Sequence, residues 1–223
     1  MKIISEAVKR GQNALSEYES KIVVRFAGVA ITKEGLAKSK DEAAGIAEKI
    51  GYPVVMKGCS DKLTHKTETG MVKLNITNSR MAADTYDELT GKGVELDGIL
   101  IQEMVKGSRE FVIGFSRDIN FGPCVMFGLG GVFTEALSDV VFRLAPLTLT
   151  DAAEMIDEIK TQKLLKEFRG SPAVDREALI HALVGIGNLG AENDAIAEID
   201  INPLIISGSR PVAVDALVIL SKF

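Results

Sequence analysis

Two periodicities alternate along this chain, and each change of period marks an element. Residues 3–18 repeat at helical spacing, with Ile3, Ile4, Ala7, Val8, Leu15 and Tyr18 near one face. A short strand is predicted at residues 29–31. Residues 39–50 read as a helix, with Ser39 as N-cap and Glu42 as its capping-box partner. Gly51-Tyr52-Pro53 ends that helix and leads into a buried strand over residues 54–57. Alternation over residues 71–77 predicts another strand, and Asn78 or Ser79 caps a helix running through Leu89.

The second half opens with a nearly continuous apolar run at residues 98–105, a strand. Strands at 111–115 and 124–127 follow, separated by the turn signal Arg117-Asp118-Ile119-Asn120. Helical patterns cover residues 151–159 and 175–189. Two last strands, near 197–201 and 212–218, flank the turn Ser207-Gly208-Ser209. This order predicts an α+β protein of two lobes, residues 1–104 and 105–223, joined near residues 102–107.

Composition narrows the function classes. The 223 residues are 46% apolar and 26% charged, ordinary for a globular protein, and the net charge of -5 without a basic tract argues against nucleic acid. No apolar run reaches the roughly 18–20 residues a membrane span needs. Charges come too early in Met1-Lys2-Ile3-Ile4-Ser5-Glu6 for a signal peptide. Cys59 and Cys124 are too few for a disulfide framework and lack paired histidines for zinc, so a reducing cytoplasm is the expected location.

Against that background the segment Phe127-Gly128-Leu129-Gly130-Gly131 stands out. A strand running into three glycines lets backbone N–H groups approach an anion closely. Lys57, at the end of a buried strand, can neutralise a phosphate, or can be a lysine whose head reaches water at a strand end. His65, in Thr64-His65-Lys66-Thr67, has an imidazole able to attack phosphorus or act as a base, and also reads as plain surface. The run Gln102-Glu103-Met104-Val105 can read an adenine edge through its backbone and hold ribose hydroxyls through its carboxylate, with Glu110 a second sugar ligand. An edge strand with solvated acids is, on local sequence, the stronger reading.

Arg143 lies inside the apolar run Val140-Val141-Phe142-Arg143-Leu144, so an anion should face it. A phosphate would serve, and so would Glu135 or Asp139. In Glu198-Ile199-Asp200-Ile201-Asn202 the acids and amide share one strand face, an oxygen-only set suited to Mg²⁺. Asp215 adds an oxygen from within residues 212–218. No Gly-x-x-x-x-Gly-Lys-Ser/Thr is present, which excludes a P-loop. Gly185-Ile186-Gly187-Asn188-Leu189-Gly190 has the spelling of a dinucleotide fingerprint but lies in a helical pattern outside any βαβ unit, and is set aside.

Taken in order, Tyr52–Lys57, Thr64–Thr67, Gln102–Val105, Phe121-Gly122-Pro123, Phe127–Gly131, Phe142–Leu147 and Glu198–Leu204 resemble the ATP-grasp β subunit, or β domain, of ADP-forming acyl-CoA synthetases such as acetate–CoA ligase. The resemblance implies an ATP-grasp fold of two α+β lobes gripping a nucleotide, with ATP/ADP and Mg²⁺ as cofactors. It further implies Lys57 on the phosphates, Gln102, Glu103, Val105 and Glu110 on adenine and ribose, and Gly128, Gly130, Gly131 and Arg143 on the phosphate tail. Asn202 and Asp215 match metal positions, with Asp200 close by, and His65 matches a phosphate-carrying histidine. The implied reaction is acyl-CoA + ADP + Pi ⇌ carboxylic acid + ATP + CoA, through phosphohistidine. An α subunit with the CoA-binding and ligase domains is the implied partner. Where such proteins have two glycines this chain has Gly70-Met71, which is expected to put a bulky side chain beside the His65 loop. Two further readings stay open: an ATP-grasp ligase that forms an acyl phosphate directly, and a non-catalytic nucleotide-sensing subunit.

Overall fold

Every strand pairing between named strands is antiparallel, and the strands form two separate sheets. The computed structural model describes residues 1–63, 69–131, 139–167 and 170–221. The chain divides into two compact units: Leu15–Glu19 with Thr32–Met104, and Met1–Ala14 with Ser20–Ile31 and Val105–Phe223.

The smaller unit carries β1 (Glu34–Ala37), β2 (Val54–Cys59), β3 (Val72–Ile76) and β4 (Gly98–Glu103) in the order β1-β4-β2-β3. Two helices, α3 (Lys40–Ile50) and α4 (Ser79–Thr90), pack on one another and on one face of this sheet. Ser39 and Asn78 cap them, accepting from Glu42 N at 3.2 Å and Met81 N at 2.9 Å. Glu42 reaches one residue further back than a capping box requires, to Lys38 N at 2.7 Å. The core joins Ala43 and Ala47 of α3 to Val54 and Met56 of β2 and Ile99 and Ile101 of β4. Met71 is fully buried in this core, against Gly58. Its bulk is therefore taken up by core packing.

The larger unit carries β5 (Glu110–Asp118), β6 (Gly122–Leu129), β7 (Val140–Leu144), β8 (Ile196–Ser207), β9 (Arg210–Ala213) and β10 (Leu217–Leu220). Their order is β10-β8-β5-β6-β7, with β9 on β8. Helix α6 (Arg176–Glu192) covers one face of this sheet, and α5 (Leu149–Glu158) packs on α6 and β7. Phe111 and Phe127 stack with centroids 5.6 Å apart among Ile113, Phe115, Val125, Ile199 and Ile201.

The long glycine-spaced motif in residues 185–190 belongs to α6. A β-carbon at Gly185 would strike the Ala27 carbonyl, and one at Gly190 the Phe115 ring. Those glycines let a helix lie close against its neighbours, and the fingerprint spelling is a by-product of packing.

Three expectations are corrected. Residues 3–18 are two helices, α1 (Lys2–Lys9) and α2 (Glu17–Phe26), because Gly11 N and Gln12 N bond back to Val8 O and Ala7 O and close the first one. The predicted strand at 29–31 is a single parallel bridge, Ile31 to Ala213. The predicted strand at 212–218 is β9 and β10, with Asp215 in the link between them. The N-terminal segments group with the larger unit, although a cut at 104/105 places them in the other lobe, because their backbone pairs there. Ala14 bridges Ile219, Ala213 N bonds Ala30 O at 2.8 Å, and Val218 N bonds Ser20 Oγ at 3.1 Å.

Candidate functional site

Register decides which predicted residues can act together. In the smaller unit the row Leu36–Leu100–Lys57–Val72 lies beside the row Glu34–Gln102–Val55. Val54, Met56, Ile99 and Ile101 point into the helix-covered core, so Lys57 and Gln102 share the opposite face. Both are buried. The Lys57 ammonium is paired with Glu17 Oε1 at 2.7 Å, the two side chains being 8% and 2% exposed.

Sequence reasoning missed Glu17. The signal was present in Ser16-Glu17-Tyr18-Glu19: Ser16 Oγ accepts from Glu19 N at 3.4 Å, while Glu19 Oε2 accepts from Ser16 N at 3.1 Å. That reciprocal cap starts α2 and sets Glu17 in its first turn.

Glu103 ends β4 with its carboxylate already engaged. Oε1 accepts from Lys33 N at 2.8 Å, and Glu103 N donates to Lys33 O at 2.9 Å. It braces the chain entering β1. Val105 follows as a half-buried residue. His65 lies outside the described residues, as does Glu135.

On the larger unit, the sheet face away from α6 carries Glu198, Asp200 and Asn202 in one exposed line, with Ile199 and Ile201 buried behind them. The row through Asp200 runs Leu217–Asp200–Gly114–Met126–Phe142. Gly114 leaves the space between Asp200 and Met126 bare, and a cavity of about 310 Å³ opens there. The pairing of β5 with β8 shifts register between Phe111 and Ile113, opposite Asn202-Pro203. Such a bulge locally disrupts the ladder and bends the strand at Asn202-Pro203. Val214 N bonds Pro203 O at 3.1 Å, which ties the link bearing Asp215 to that bulge.

Asp200 keeps part of its surface open to water. Even so, crowding by the cavity walls, then the charges of Asp215 and Glu198, push its carboxyl up to about 6. Repulsion between carboxylates is what a divalent cation relieves, and the donors are all oxygen. Among the described residues no cluster of three His, Cys, Asp or Glu suits a metal by itself. Two acids and an amide leave coordination positions for water or phosphate oxygens, as Mg²⁺ prefers.

The glycine turn adjoins Glu110. Gly128 lies within β6, where a side chain would strike the Asp139 carbonyl, and Gly130 N bonds Glu110 O at 2.9 Å. Gly131 has φ +70, and a β-carbon there would meet Glu110 Oε2. Gly131 therefore brings its backbone to the Glu110 carboxylate, while Gly130 lies against the Glu110 and Phe111 backbone, as the crowding of the turn demands.

Arg143 is different. It pairs in register with Val125, and Val125 packs on Gly187 of α6, so Arg143 points to the helix-covered side. Its anion is Glu158 of α5. Asp139 does not fill that role: it accepts from Lys160 N at 2.7 Å and from Thr161 N and Oγ1 at 2.8 and 2.6 Å. Arg143 thus lies on the face opposite Asp200, away from Glu110 and Gly128.

Comparison with known proteins shows the family. Residues 6–220 match the family model described as ATP-grasp domain. The β subunit of acetate–CoA ligase [ADP-forming] II from Pyrococcus furiosus is 40% identical over 99% of this chain and 97% of its own. A dinucleotide-forming acetyl-coenzyme A synthetase 1 from Ca. Korarchaeum cryptofilum, solved with coenzyme A and Ca-AMPCP, is 42% identical, with TM-score 0.93 and 99% of both chains covered. Another structure of that enzyme holds coenzyme A and Mg-AMPPCP, its phosphohistidine segment pointing towards the nucleotide binding site, at 41% identity, TM-score 0.87 and 99% of both chains. The chain belongs to the ATP-grasp domain family, in the group of ADP-forming acetate–CoA ligase β subunits.

Proposed function

We propose that this chain is the nucleotide-binding subunit of an ADP-forming acyl-CoA synthetase and performs the ADP/ATP half of acyl-CoA + ADP + Pi ⇌ carboxylic acid + ATP + CoA. The observation that carries this reading is the pair Asp200 and Asn202 on the open sheet face, with Asp215 of the β9–β10 link near enough for its charge to raise the Asp200 carboxyl. Bound Mg²⁺ would neutralise phosphate charge there, held by Asn202 and Asp215 with Asp200 beside them. Lys57 binds phosphate as a fixed cation, and Gly130 and Gly131 offer backbone close to the tail. Gln102 and Val105 are assigned to adenine and Glu110 to ribose. Glu103 braces β1, and Arg143 stabilises the helix-packed side.

The relatives' designation as β subunits supports a partner subunit. That partner is assigned the CoA-binding and ligase chemistry. Acyl-CoA and phosphate give acyl phosphate and CoA; a histidine nitrogen attacks phosphorus and releases the carboxylate; a terminal oxygen of ADP takes the phosphoryl group and frees the histidine. His65 is assigned the carrier step on this chain. Cys59 and Cys124, neither in a disulfide, fit a reducing compartment such as the cytoplasm.

The test is to incubate the chain with Mg²⁺ and γ-³²P-ATP, with and without its partner, and map acid-labile label. Label at His65, lost in His65→Ala, is expected. No label on the chain with the partner present sinks the carrier assignment, and no nucleotide binding sinks the whole reading.

A further inference from the structure

Lys57 is a cation fixed from behind. It sits in a six-residue strand buried along its whole length, and the carboxylate that meets its ammonium comes from 40 residues earlier in the chain. Glu17 is held by local construction, in the first turn of a helix whose start is set by the Ser16–Glu19 reciprocal cap. An acid 2% exposed in its side chain is costly to keep unless its charge is answered, and the Lys57 ammonium at 2.7 Å answers it. The dependence runs both ways. A buried ammonium on a flexible four-carbon stem tends to lose its proton or its position without a fixed anion.

We propose that Glu17 is the positioning residue for Lys57: it sets where Nζ stands, so that an arriving di- or triphosphate meets a cation already in place. This rests on the reading of Lys57 as a phosphate ligand. A lysine ammonium carries three donors, and Glu17 takes one of them. Glu17 itself contacts no nucleotide and acts only through Lys57.

Calorimetric titration of the full chain with Mg-ADP and with adenosine, which lacks phosphate, separates the roles. Glu17→Gln keeps the shape and an acceptor but removes the charge. It is expected to weaken Mg-ADP at least tenfold and leave adenosine within twofold. Lys57→Met should show the same selective loss, and Glu17→Gln/Lys57→Met should bind Mg-ADP no more weakly than Lys57→Met. Wild-type Mg-ADP affinity in Glu17→Gln, equal losses for both ligands, or additive losses in the double variant each overturn the proposal. Should Glu17→Gln not fold, Glu17→Asp decides. It keeps the charge and shortens the reach, so tenfold weaker Mg-ADP supports the positioning role and unchanged affinity overturns it. Wild-type Mg-ADP affinity in Lys57→Met shows a different failure, that of the phosphate-ligand reading on which the proposal rests.

Discussion

Arg143 and Glu158 form an ion pair that joins β7 to α5 on the helix-packed side of the larger sheet. The side chains are 29% and 49% exposed, so the pair contributes modestly, about 0.2–1 kcal/mol. Arg143→Met should lower the thermal midpoint by a few degrees and leave Mg-ADP affinity within twofold. A tenfold loss of affinity at unchanged midpoint returns Arg143 to the phosphate site.

Gly190 lies where the Phe115 ring would meet any side chain. Gly190→Ala should destabilise by about 1–3 kcal/mol through overpacking, measured by urea unfolding. Phe115→Leu in the same chain should recover part of that loss. Nucleotide affinity of the folded fraction should stay unchanged, since residues 185–190 are packing glycines. A selective loss of binding restores the fingerprint reading.

Asp139 is buried, and burial alone would raise its carboxyl. Hydrogen bonds from Thr161 Oγ1, Lys160 N and Thr161 N, with the Lys160 charge, outweigh that and hold it below the usual carboxylate range. Because the folded value is depressed, its stabilisation is full above about pH 4, the ordinary carboxylate value, and is lost as pH falls through the folded value. Asp139→Asn, which sets an NH₂ among N–H donors, should cost about 1–3 kcal/mol at pH 7. The gap from wild type should narrow as pH falls below the ordinary carboxylate value and through the folded one. A gap independent of pH rules out the ionised carboxylate as its source.

Asp215→Asn should weaken nucleotide binding at least tenfold with Mg²⁺ and change it little in EDTA, because the lost charge serves the cation. Equal losses in both buffers mean that Asp215 supports the fold of the β9–β10 link instead.

What could be read from the chain follows the range of the forces involved. Apolar runs at 54–57 and 98–105 announced β2 and β4, since alternation and capping are local. Likewise the side assignment of Glu198, Asp200 and Asn202 needs only the two-residue repeat of a strand. Pairing partners are set by distant chain and were not legible: Arg143 shows no local sign that Glu158 is its anion. Glu103 gave no hint of Lys33, and the break near Gly11 was hidden by apolar spacing that happens to stay in phase across it. Glu17 was hidden for another reason. Its capping signal could be read, but nothing nearby says that the helix start lies against β2.

Gly114 makes the room beside Asp200 adjustable from a single position. A methyl there would come within 3.1 Å of the Met126 terminus, so Met126 must yield or the cavity must shrink. The acids and the bulge would keep their geometry throughout. Substitution at 114 therefore retunes how large a group sits next to the carboxylates and, because crowding by the cavity walls is what chiefly lifts the Asp200 carboxyl, tunes the charge that group encounters as well.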